Sequence, residues 1–328
     1  MDKMSWKGMK VLVTGANGFI GSHLAKVLIE KKAEVTTIIN NKKKIGNIEI
    51  LNLKGKINII HGDIISIEDC KKAFSKYDID FCFHIAAQAI VGYADINPLP
   101  TFESNIKGTW NVLEACRLSK NIKGVIIASS DRVYGQQKNI PFTENSPLNG
   151  YSPYDTSKIC AEIISKCYFS VYNLPLAIAR NANTYGPADM NLSRIIPNVI
   201  TKLIRNEHPA IIGDESHKRD YLYIKDAVNA YLKLAENLHK NDVRGEAFNF
   251  GTKSPISALE LYNKIIRLMG KGIKPKILET YEVKEKNGFG VQSIDSSKAR
   301  KILGWKPEYG LDRGLKETIE WYKIYLSK

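Results

Sequence analysis

Short apolar runs alternate with segments of helical period from the start of the chain. Strands are predicted at 10–14, 34–39, 57–61, 81–86, 125–129, 176–179 and 247–250. Helices are predicted at 22–31, from 66 onward, and at 102–118, 153–172, 227–236, 257–269 and 311–325. Strands separated by helices run parallel, so the pattern predicts an α/β fold, a doubly wound parallel sheet with helices on both faces.

The alternation loosens after residue 180, which predicts a smaller α/β C-terminal region beside the sheet. We expect a first domain formed by residues 1–181 plus 220–251, with the strand at 247–250 rejoining the sheet. Residues 182–219 and 252–328 are expected to form a substrate-binding domain over the strand ends. Ligands of open α/β sheets bind in the crevice at the carboxyl ends of the strands.

The composition and the N-terminal residues also predict the cellular compartment of the protein. The 328 residues are 44% hydrophobic and contain five cysteines, which form no Cys-x-x-Cys pair. A chain of this length buries a core without disulfide or metal staples, and we expect no metal site. The first ten residues lack the apolar core of a signal peptide, and no run approaches the ~20 apolar residues of a membrane span. We therefore expect a cytoplasmic protein without membrane contact.

The formal net charge of +14 raises the alternative of a nucleic-acid binder. However, the lysines are scattered along the chain, and the nearest thing to a cluster is Lys42, Lys43 and Lys44. We expect no nucleic-acid partner, and an anionic small-molecule substrate is compatible with the charge.

A glycine-rich turn, Thr14-Gly15-Ala16-Asn17-Gly18-Phe19-Ile20-Gly21, follows the first predicted strand and precedes a helix. Gly15 permits a tight turn, Gly18 lets the backbone approach a pyrophosphate, and Gly21 allows close packing of helix on strand. The phosphates then meet free N–H groups at a helix N-terminus. The context favours a Rossmann-type dinucleotide-binding domain over a plain glycine turn.

The end of the second strand bears on the choice of cofactor. An acidic residue usually binds the adenosine ribose of NAD there, but this strand ends in Asn40 and Asn41, followed by the three lysines. We expect NAD as the cofactor, with the 2′-phosphate of NADP tolerated.

A Tyr-x-x-x-Lys pair places both side chains on one face of a helix. A nearby ammonium group favours phenolate and is expected to lower a tyrosine pKa from about 10 toward neutrality. The spacing occurs three times, at Tyr134/Lys138, Tyr154/Lys158 and Tyr221/Lys225. Only Tyr154 begins a long predicted helix and follows a strand that ends in Ser129 and Ser130. Tyr154, Lys158 and Ser130 are therefore the predicted catalytic trio, and a surface helix pair is the alternative.

Several motifs together resemble the extended short-chain dehydrogenase/reductase family, which comprises nucleotide-sugar epimerases and dehydratases. They are TGANGFIG at 14–21, HIAAQA at 84–89, Asn105 with Gly108 and Thr109, SSDRVYG at 129–135, YDTSK at 154–158, ARNANTYGP at 179–187, SRIIP at 193–197 and RDYLYIKDAV at 219–228. The resemblance covers nearly the whole chain.

The resemblance implies a set of ligand-binding residues and a homodimer that packs the helices at 102–118 and 153–172. Residues implied to bind the cofactor are Gly15, Asn17, Gly18, Phe19, Ile20, Gly21, Asn40, Asp63, Ile64, Ala86, Ala87, Gln88, Asn105, Tyr154 and Lys158, with Asp63 on the adenine. Asn183 and Arg219 are implied to hold the nucleoside diphosphate of a nucleotide-sugar substrate, with Arg194 a weaker candidate. Arginine suits this task because its planar fork grips two phosphate oxygens, and a surface ion pair is the alternative for Arg219.

The two residues after Ser130 distinguish the reactions within the family. Simple 4-epimerases carry a small residue where this chain has Asp131. In 4,6-dehydratases an acid at that position protonates the leaving C6 hydroxyl. Arg132 stands where dTDP-glucose dehydratases carry the glutamate that serves as C5 base, and the Asp-Arg pair is more similar to the Asp-Lys of CDP-glucose 4,6-dehydratases. Guanidinium stays protonated, so Arg132 is expected to stabilise an enolate, and the C5 base falls to Tyr154 or a neighbouring group.

These residues favour an NDP-hexose 4,6-dehydratase that forms an NDP-4-keto-6-deoxy sugar by internal hydride transfer from C4 to C6. An NDP-sugar 4-epimerase, with Asp131 only structural, is the alternative. A dinucleotide sensor without catalysis is a further alternative, which the complete trio of Tyr154, Lys158 and Ser130 disfavours. The sequence leaves the nucleotide base and the hexose open.

Overall fold

A computed structural model describes residues 4–40, 46–212, 215–273, 275–278 and 290–327. The lysine cluster at 42–44 and Asn41 lie outside these ranges. The strands are β1 (Lys10–Thr14), β2 (Glu34–Ile39), β3 (Asn58–His61), β4 (Phe81–His84), β5 (Gly124–Ser130), β6 (Leu176–Asn181), β7 (Asn183–Tyr185), β8 (Ala210–Ile212), β9 (Lys218–Arg219), β10 (Tyr221–Tyr223), β11 (Ala247–Phe250), β12 (Ile256–Ser257), β13 (Lys276–Leu278) and β14 (Val291–Gln292).

The helices alternate with the long strands and continue into the C-terminal region. They are α1 (Phe19–Glu30), α2 (Asn47–Ile50), α3 (Ile67–Tyr77), α4 (Val91–Ile96), α5 (Pro98–Phe102), α6 (Gly108–Leu118), α7 (Pro153–Tyr172), α8 (Ile195–Ile204), α9 (Ile224–Asn237), α10 (Ala258–Met269), α11 (Ser297–Leu303) and α12 (Leu311–Leu326). Among the described helices, none is both long and apolar enough to cross a membrane.

The long strands form one seven-stranded sheet in the order β11-β6-β5-β4-β1-β2-β3, with every neighbouring pair parallel. This confirms the predicted doubly wound sheet, and β11 pairs with β6 as its pattern indicated. Two core clusters lie on the two faces: Val11 and Val13 belong to one, and Leu12 between them belongs to the other. Alternate residues of a strand point to opposite faces, so both faces of β1 are buried.

Helix α7, which carries the predicted catalytic tyrosine, has strong local signals at both ends. The Ser152 side chain accepts a hydrogen bond from the Asp155 N–H, and Pro153 occupies the first helical position. Asn173 ends the helix in a left-handed conformation with φ +53°. The helix therefore begins and ends where the sequence predicts.

The single helix expected at 102–118 is instead interrupted. A π-helical segment at Glu103–Lys107 separates α5 from α6. Asn105 lies within this segment and is 2% exposed, with its side chain hydrogen-bonded to Gln88 and Ser157. Single π-turns of this kind are frequent at functional sites, and here the turn carries a residue implied to bind the cofactor.

Short strands build the region beside the sheet. β7 pairs with β10, β9 lies between β12 and β14, and β8 pairs with β13. The loop at 186–189 is tied to the first part of the chain, because Asn47 Nδ2 donates to the Ala188 carbonyl at 2.7 Å and His23 Nε2 lies 2.8 Å from the Pro187 carbonyl. Residues 183–197 of this region include several that line a cavity together with Ser130 and Asn181, at the carboxyl ends of β5 and β6.

Candidate active site

The carboxyl ends of β5 and β6 form the floor of a cavity of about 620 Å³. Of the predicted residues, Ile20, Ala87, Ser130, Asp131, Arg132, Tyr154, Lys158, Asn183 and Arg194 line it. A more open cleft of about 860 Å³ lies on the other side of Tyr221, and it contains none of the predicted site residues. The predicted catalytic residues therefore converge on one cavity, at the edge of the sheet where α/β proteins bind ligands.

The glycine turn has the geometry that a dinucleotide pyrophosphate requires. Gly15 has φ +76°, and a Cβ there would lie 2.8 Å from the Ala86 backbone. A Cβ on Gly21 would lie 2.3 Å from the Gly15 carbonyl oxygen, so α1 packs too closely on the turn for any side chain. No side chain caps Gly18 at the start of α1, and its N-terminal N–H groups remain available to phosphate. The turn fits NAD.

The loop after β4, which borders the cavity, is held by a chain of buried hydrogen bonds. Asn105 Oδ1 accepts the Gln88 N–H at 2.7 Å, and its Nδ2 donates to the Gln88 carbonyl at 3.0 Å. Thr109 donates to the Asn105 carbonyl at 2.6 Å, so it accepts from His84 Nε2, 3.0 Å away. His84 Nδ1 then accepts from Thr14 at 2.8 Å. Asn105 therefore positions the loop at 86–88.

The far end of the dinucleotide site lies beyond β2 and β3. Asn40 Nδ2 donates to an Asp63 carboxylate oxygen, and the other oxygen accepts the Ile65 N–H at 3.2 Å. Asn111 Nδ2 donates to the Ile64 carbonyl at 3.0 Å and fixes the same turn. The residues implied to contact adenosine thus lie together.

Tyr154 and Ser130 meet at the floor of the cavity, and Lys158 lies one turn further along α7. Tyr154 is 9% exposed and lines the cavity together with Ser130 and Lys158. Lys158 Nζ donates to the Ala128 carbonyl at 2.8 Å. The expected arrangement of the trio is present, with the ammonium group anchored on β5.

The expected lowering of the tyrosine pKa is wrong for this structure. Burial raises the pKa of Tyr154 to about 12, although the hydrogen bond with Ser130 and the charges of Arg132 and Arg194 act to lower it. Burial also lowers the pKa of Lys158 to about 8. Desolvation of both groups outweighs the charge effect that the sequence spacing indicated.

Asp131 is a carboxylic acid in an almost dry position. Its side chain is 2% exposed, Oδ1 accepts from the Ser130 hydroxyl at 3.1 Å, and Oδ2 has no hydrogen-bond partner. Burial raises the pKa of Asp131 to about 7. The group is therefore poised to give up a proton near neutral pH.

Arg132 faces the cavity but is committed to an ion pair. Its Nε lies 2.6 Å from Asp155 Oδ1, and its NH2 lies 3.3 Å from Oδ2 of the same carboxylate. Burial acts to lower the pKa of Arg132, and Asp155 more than compensates. The pair joins the turn after β5 to the first turn of α7 and keeps a permanent positive charge beside Tyr154.

The three residues implied to bind diphosphate occupy different positions. Asn183 and Arg194 line the cavity, and Arg194 NH1 donates to Asp189 Oδ2 at 3.0 Å. Arg219 lies outside the cavity lining, where its guanidinium donates to the Lys218 carbonyl at 3.0 Å. Its charge nevertheless reaches Asp131 and acts to lower the pKa of that carboxyl.

Two residues that the sequence did not single out, Asn181 and Tyr231, also line the cavity. Asn181 is 6% exposed and pairs with Ser130 as its Cα partner across β5 and β6. Its Nδ2 donates to the Tyr231 hydroxyl at 3.2 Å, whereas its Oδ1 has no hydrogen-bond partner. An Asn at the last position of a buried strand was the available signal.

The other two Tyr-x-x-x-Lys pairs are structural. Tyr134 is fully buried, and its hydroxyl donates to Asn249 Oδ1 at 2.6 Å. Tyr221 begins β10 and lies between the two cavities, while Lys225 pairs with Glu317 at 2.8 Å. Of the three pairs, Tyr154 and Lys158 are the pair whose two residues both line the cavity, and their catalytic role stays a prediction.

Known proteins resemble this chain over nearly its whole length. A putative UDP-glucose 4-epimerase of Methanocaldococcus jannaschii is 34% identical over 95% of this chain and 98% of that protein. The CDP-glucose 4,6-dehydratase of Salmonella typhimurium is 28% identical over 99% and 94%. The solved structure of a dTDP-glucose 4,6-dehydratase from Bacillus anthracis in complex with NAD superimposes with a TM-score of 0.84 at 27% identity, covering 97% of each chain.

The family assignment rests on a match that runs from β1 into α12. The model of the family described as GDP-mannose 4,6 dehydratase matches residues 12–318. This chain therefore belongs to the GDP-mannose 4,6 dehydratase family, a group of nucleotide-sugar enzymes within the extended short-chain dehydrogenases/reductases.

Proposed function

We propose that this protein is an NDP-hexose 4,6-dehydratase that uses NAD and forms an NDP-4-keto-6-deoxy sugar. The observation that carries the proposal is Asp131, a buried carboxyl beside Ser130 with one unpaired oxygen and a pKa of about 7. Elimination of water needs an acid for the leaving C6 oxygen, whereas inversion at C4 does not. The two dehydratases among the reported relatives support the proposal.

NAD would be held by the glycine turn, by Asp63 at its adenosine end and by the Asn105-supported loop at its nicotinamide end. When bound, it supplies the hydride acceptor for C4, the hydride donor for C6 and the positive charge of its pyridinium ring. The chain's own residues hold and move the protons.

Tyr154 in its phenolate form takes the proton from the O4 hydroxyl, and this is the minor form because burial raises the pKa of Tyr154 to about 12. Ser130 lies beside Tyr154 with its hydroxyl proton donated to Asp131 Oδ1, and the buried Lys158 ammonium stabilises the phenolate. Positive charge near the ring opposes the effect of burial, and Arg132 contributes in the same direction.

Asp131 protonates the C6 oxygen as it leaves. The unpaired Oδ2 is the atom available for this transfer, because Oδ1 accepts from Ser130. The C5 proton passes to Tyr154, once that group has released the O4 proton, or to a neighbouring base, and it returns to C5 after hydride reaches C6. Arg132 stays protonated and stabilises the negative charge that develops at O4 when C5 loses its proton. Asp155 holds the guanidinium in place for this task.

We further propose that residues 182–219 and 252–328 form the nucleotide-sugar-binding domain, with Asn183, Arg194 and Arg219 toward the diphosphate. Formation of a homodimer through α6 and α7 is supported by exposed apolar side chains on both helices, among them Trp110 and Ile163. Light scattering on the purified protein tests the dimer.

A 4-epimerase is the second candidate, favoured by the 34% identity to the putative UDP-glucose 4-epimerase. Incubation with CDP-, dTDP-, UDP- and GDP-hexoses separates the two functions. A dehydratase gives a product lighter by one water without added reductant. An epimerase gives a product of unchanged mass with inverted C4.

A further inference from the structure

Helix α7 presents three ionisable side chains on one buried face. Tyr154, Lys158 and Glu162 follow each other at intervals of four residues, which brings them onto one side of a helix. They are 9%, 6% and 0% exposed. Glutamate is almost never fully buried without a partner, so Glu162 needs an explanation that the proposed reaction does not supply.

Glu162 has strong partners on two strands. Arg180 of β6 binds it through two nitrogens, with Nε 2.9 Å from Oε1 and NH2 2.6 Å from Oε2. Ser129 of β5 donates to Oε1 at 2.5 Å. Arg180 is itself 2% exposed and donates to the Tyr134 hydroxyl at 2.8 Å. The carboxyl group is therefore paired with a guanidinium group and bound by hydrogen bonds from two strands.

Lys158 and Glu162 form hydrogen bonds with consecutive residues of β5. Lys158 Nζ donates to the Ala128 carbonyl, and Ser129 donates to Glu162. The next residue of the strand is Ser130, which touches Tyr154. Glu162 and Lys158 thus fix the catalytic helix against the strand end that carries the serine.

Few charges face the buried ammonium group of Lys158. Burial and, to a smaller extent, the charge of Lys158 lower the pKa of His84 on β4 to about 3, so the His84 ring is neutral. Tyr154 on the same helix is neutral while its pKa is about 12. Glu162 is the group whose charge raises the pKa of Lys158, against the burial that lowers it to about 8.

We infer that Glu162 is a positioning residue that keeps the buried Lys158 ammonium group charged and, with Ser129 and Arg180, holds α7 in register with the end of β5. The catalytic role of Lys158 rests on the proposed function, but its charge state can be measured on the protein without substrate. A merely structural ion pair would stabilise the fold and leave the titration of Lys158 unchanged.

The test is the titration of Lys158 by NMR in protein labelled at lysine side chains, with the signal assigned by its loss in Lys158→Arg. Removing the charge in Glu162→Gln should lower the pKa of Lys158 by about 1 or more from its value near 8. Ser129→Ala removes the strand contact without a change in charge and should leave this pKa within a few tenths. Asp226→Asn, a buried carboxylate that binds the loop at 308–309, is the matched control for general loosening.

Loss of one member of a buried pair can prevent folding. The double variant Glu162→Gln with Arg180→Met removes both charges and should also lower the Lys158 pKa. An unchanged titration in either folded variant overturns the inference. This outcome is independent of turnover, so the proposed function would stand or fall separately by its own product assay.

Discussion

Ser130 and Asn181 are direct partners across two parallel strands, and both side chains face the same cavity. The Ser130 hydroxyl donates to Asp131, whereas Asn181 retains an unpaired carbonyl oxygen. An unpaired buried acceptor costs about 1–3 kcal/mol, and ligand binding can recover this cost. The strand ends therefore present one hydroxyl group and one unpaired acceptor side by side in the cavity.

Asn181→Leu should weaken binding of a ligand that donates to this oxygen by about tenfold, since one hydrogen bond is worth about 1 kcal/mol or slightly more. The measurement is calorimetric titration of the variant with CDP-glucose, CDP and NAD. We expect CDP to bind as in the wild type, because it has no hexose or nicotinamide to reach the strand end. Unchanged affinity for both CDP-glucose and NAD would contradict a ligand role for Asn181.

Asp131→Asn should slow the elimination of water by a factor of about 10² to 10⁴, the range that a general acid contributes. The amide fills the same space but cannot protonate the C6 oxygen. Product analysis by mass spectrometry measures the effect, with Asp226→Asn as a control remote from the cavity. Survival of full dehydration in the variant would remove Asp131 from the mechanism, and C4 inversion that persists in it would favour the epimerase.

The same substitution should stabilise the protein at alkaline pH. The folded pKa of Asp131 is about 7, above its unfolded value of 3.8, so the folded state binds more protons between these values. Stability from this group is present below the unfolded pKa and is lost as pH rises through 7, by about 4 kcal/mol in total. Asp131→Asn should therefore raise the melting temperature more at pH 8 than at pH 4. An equal effect at both pH values would contradict the raised pKa.

Gly21→Ala should weaken NAD binding at least tenfold. The added methyl group would lie 2.3 Å from the Gly15 carbonyl oxygen, which forces α1 away from the turn. Gly272→Ala is a matched control because a Cβ there meets no atom within 4 Å. Fluorescence titration with NADH compares the two variants. Wild-type affinity in Gly21→Ala would argue against the turn as the pyrophosphate site.

Local patterns predicted the sheet and identified Tyr154, Lys158 and Ser130, which line one cavity, and distant contacts account for what was missed. β1 follows from its central apolar run Val-Leu-Val, β2 from its β-branched residues, and α7 from clear helix caps, all of which the chain carries within a few residues. The π-segment at Glu103–Lys107 has no such local signal, because it depends on Asn105 reaching Gln88. Strands of two or three residues, such as β9, are too short to show a period.

The candidate site likewise combines features that local sequence patterns predict with features that depend on distant contacts. Tyr154, Lys158 and Ser130 were identified from spacing and context. The importance of Glu162 depends on Arg180, eighteen positions later in the chain, and only the fold brings them together. The direction of the Tyr154 pKa shift was predicted wrongly, because a sequence reveals the nearby charge but not the degree of burial.

The central claim is tested most directly by a nucleotide hexose deuterated at C4, with CDP-[4-²H]glucose as the first probe. The dehydratase reaction predicts a product lighter by one water that retains the deuterium at C6, formed by the wild-type protein and not by Asp131→Asn. A product of unchanged mass with the deuterium still at C4 and that carbon inverted would contradict it.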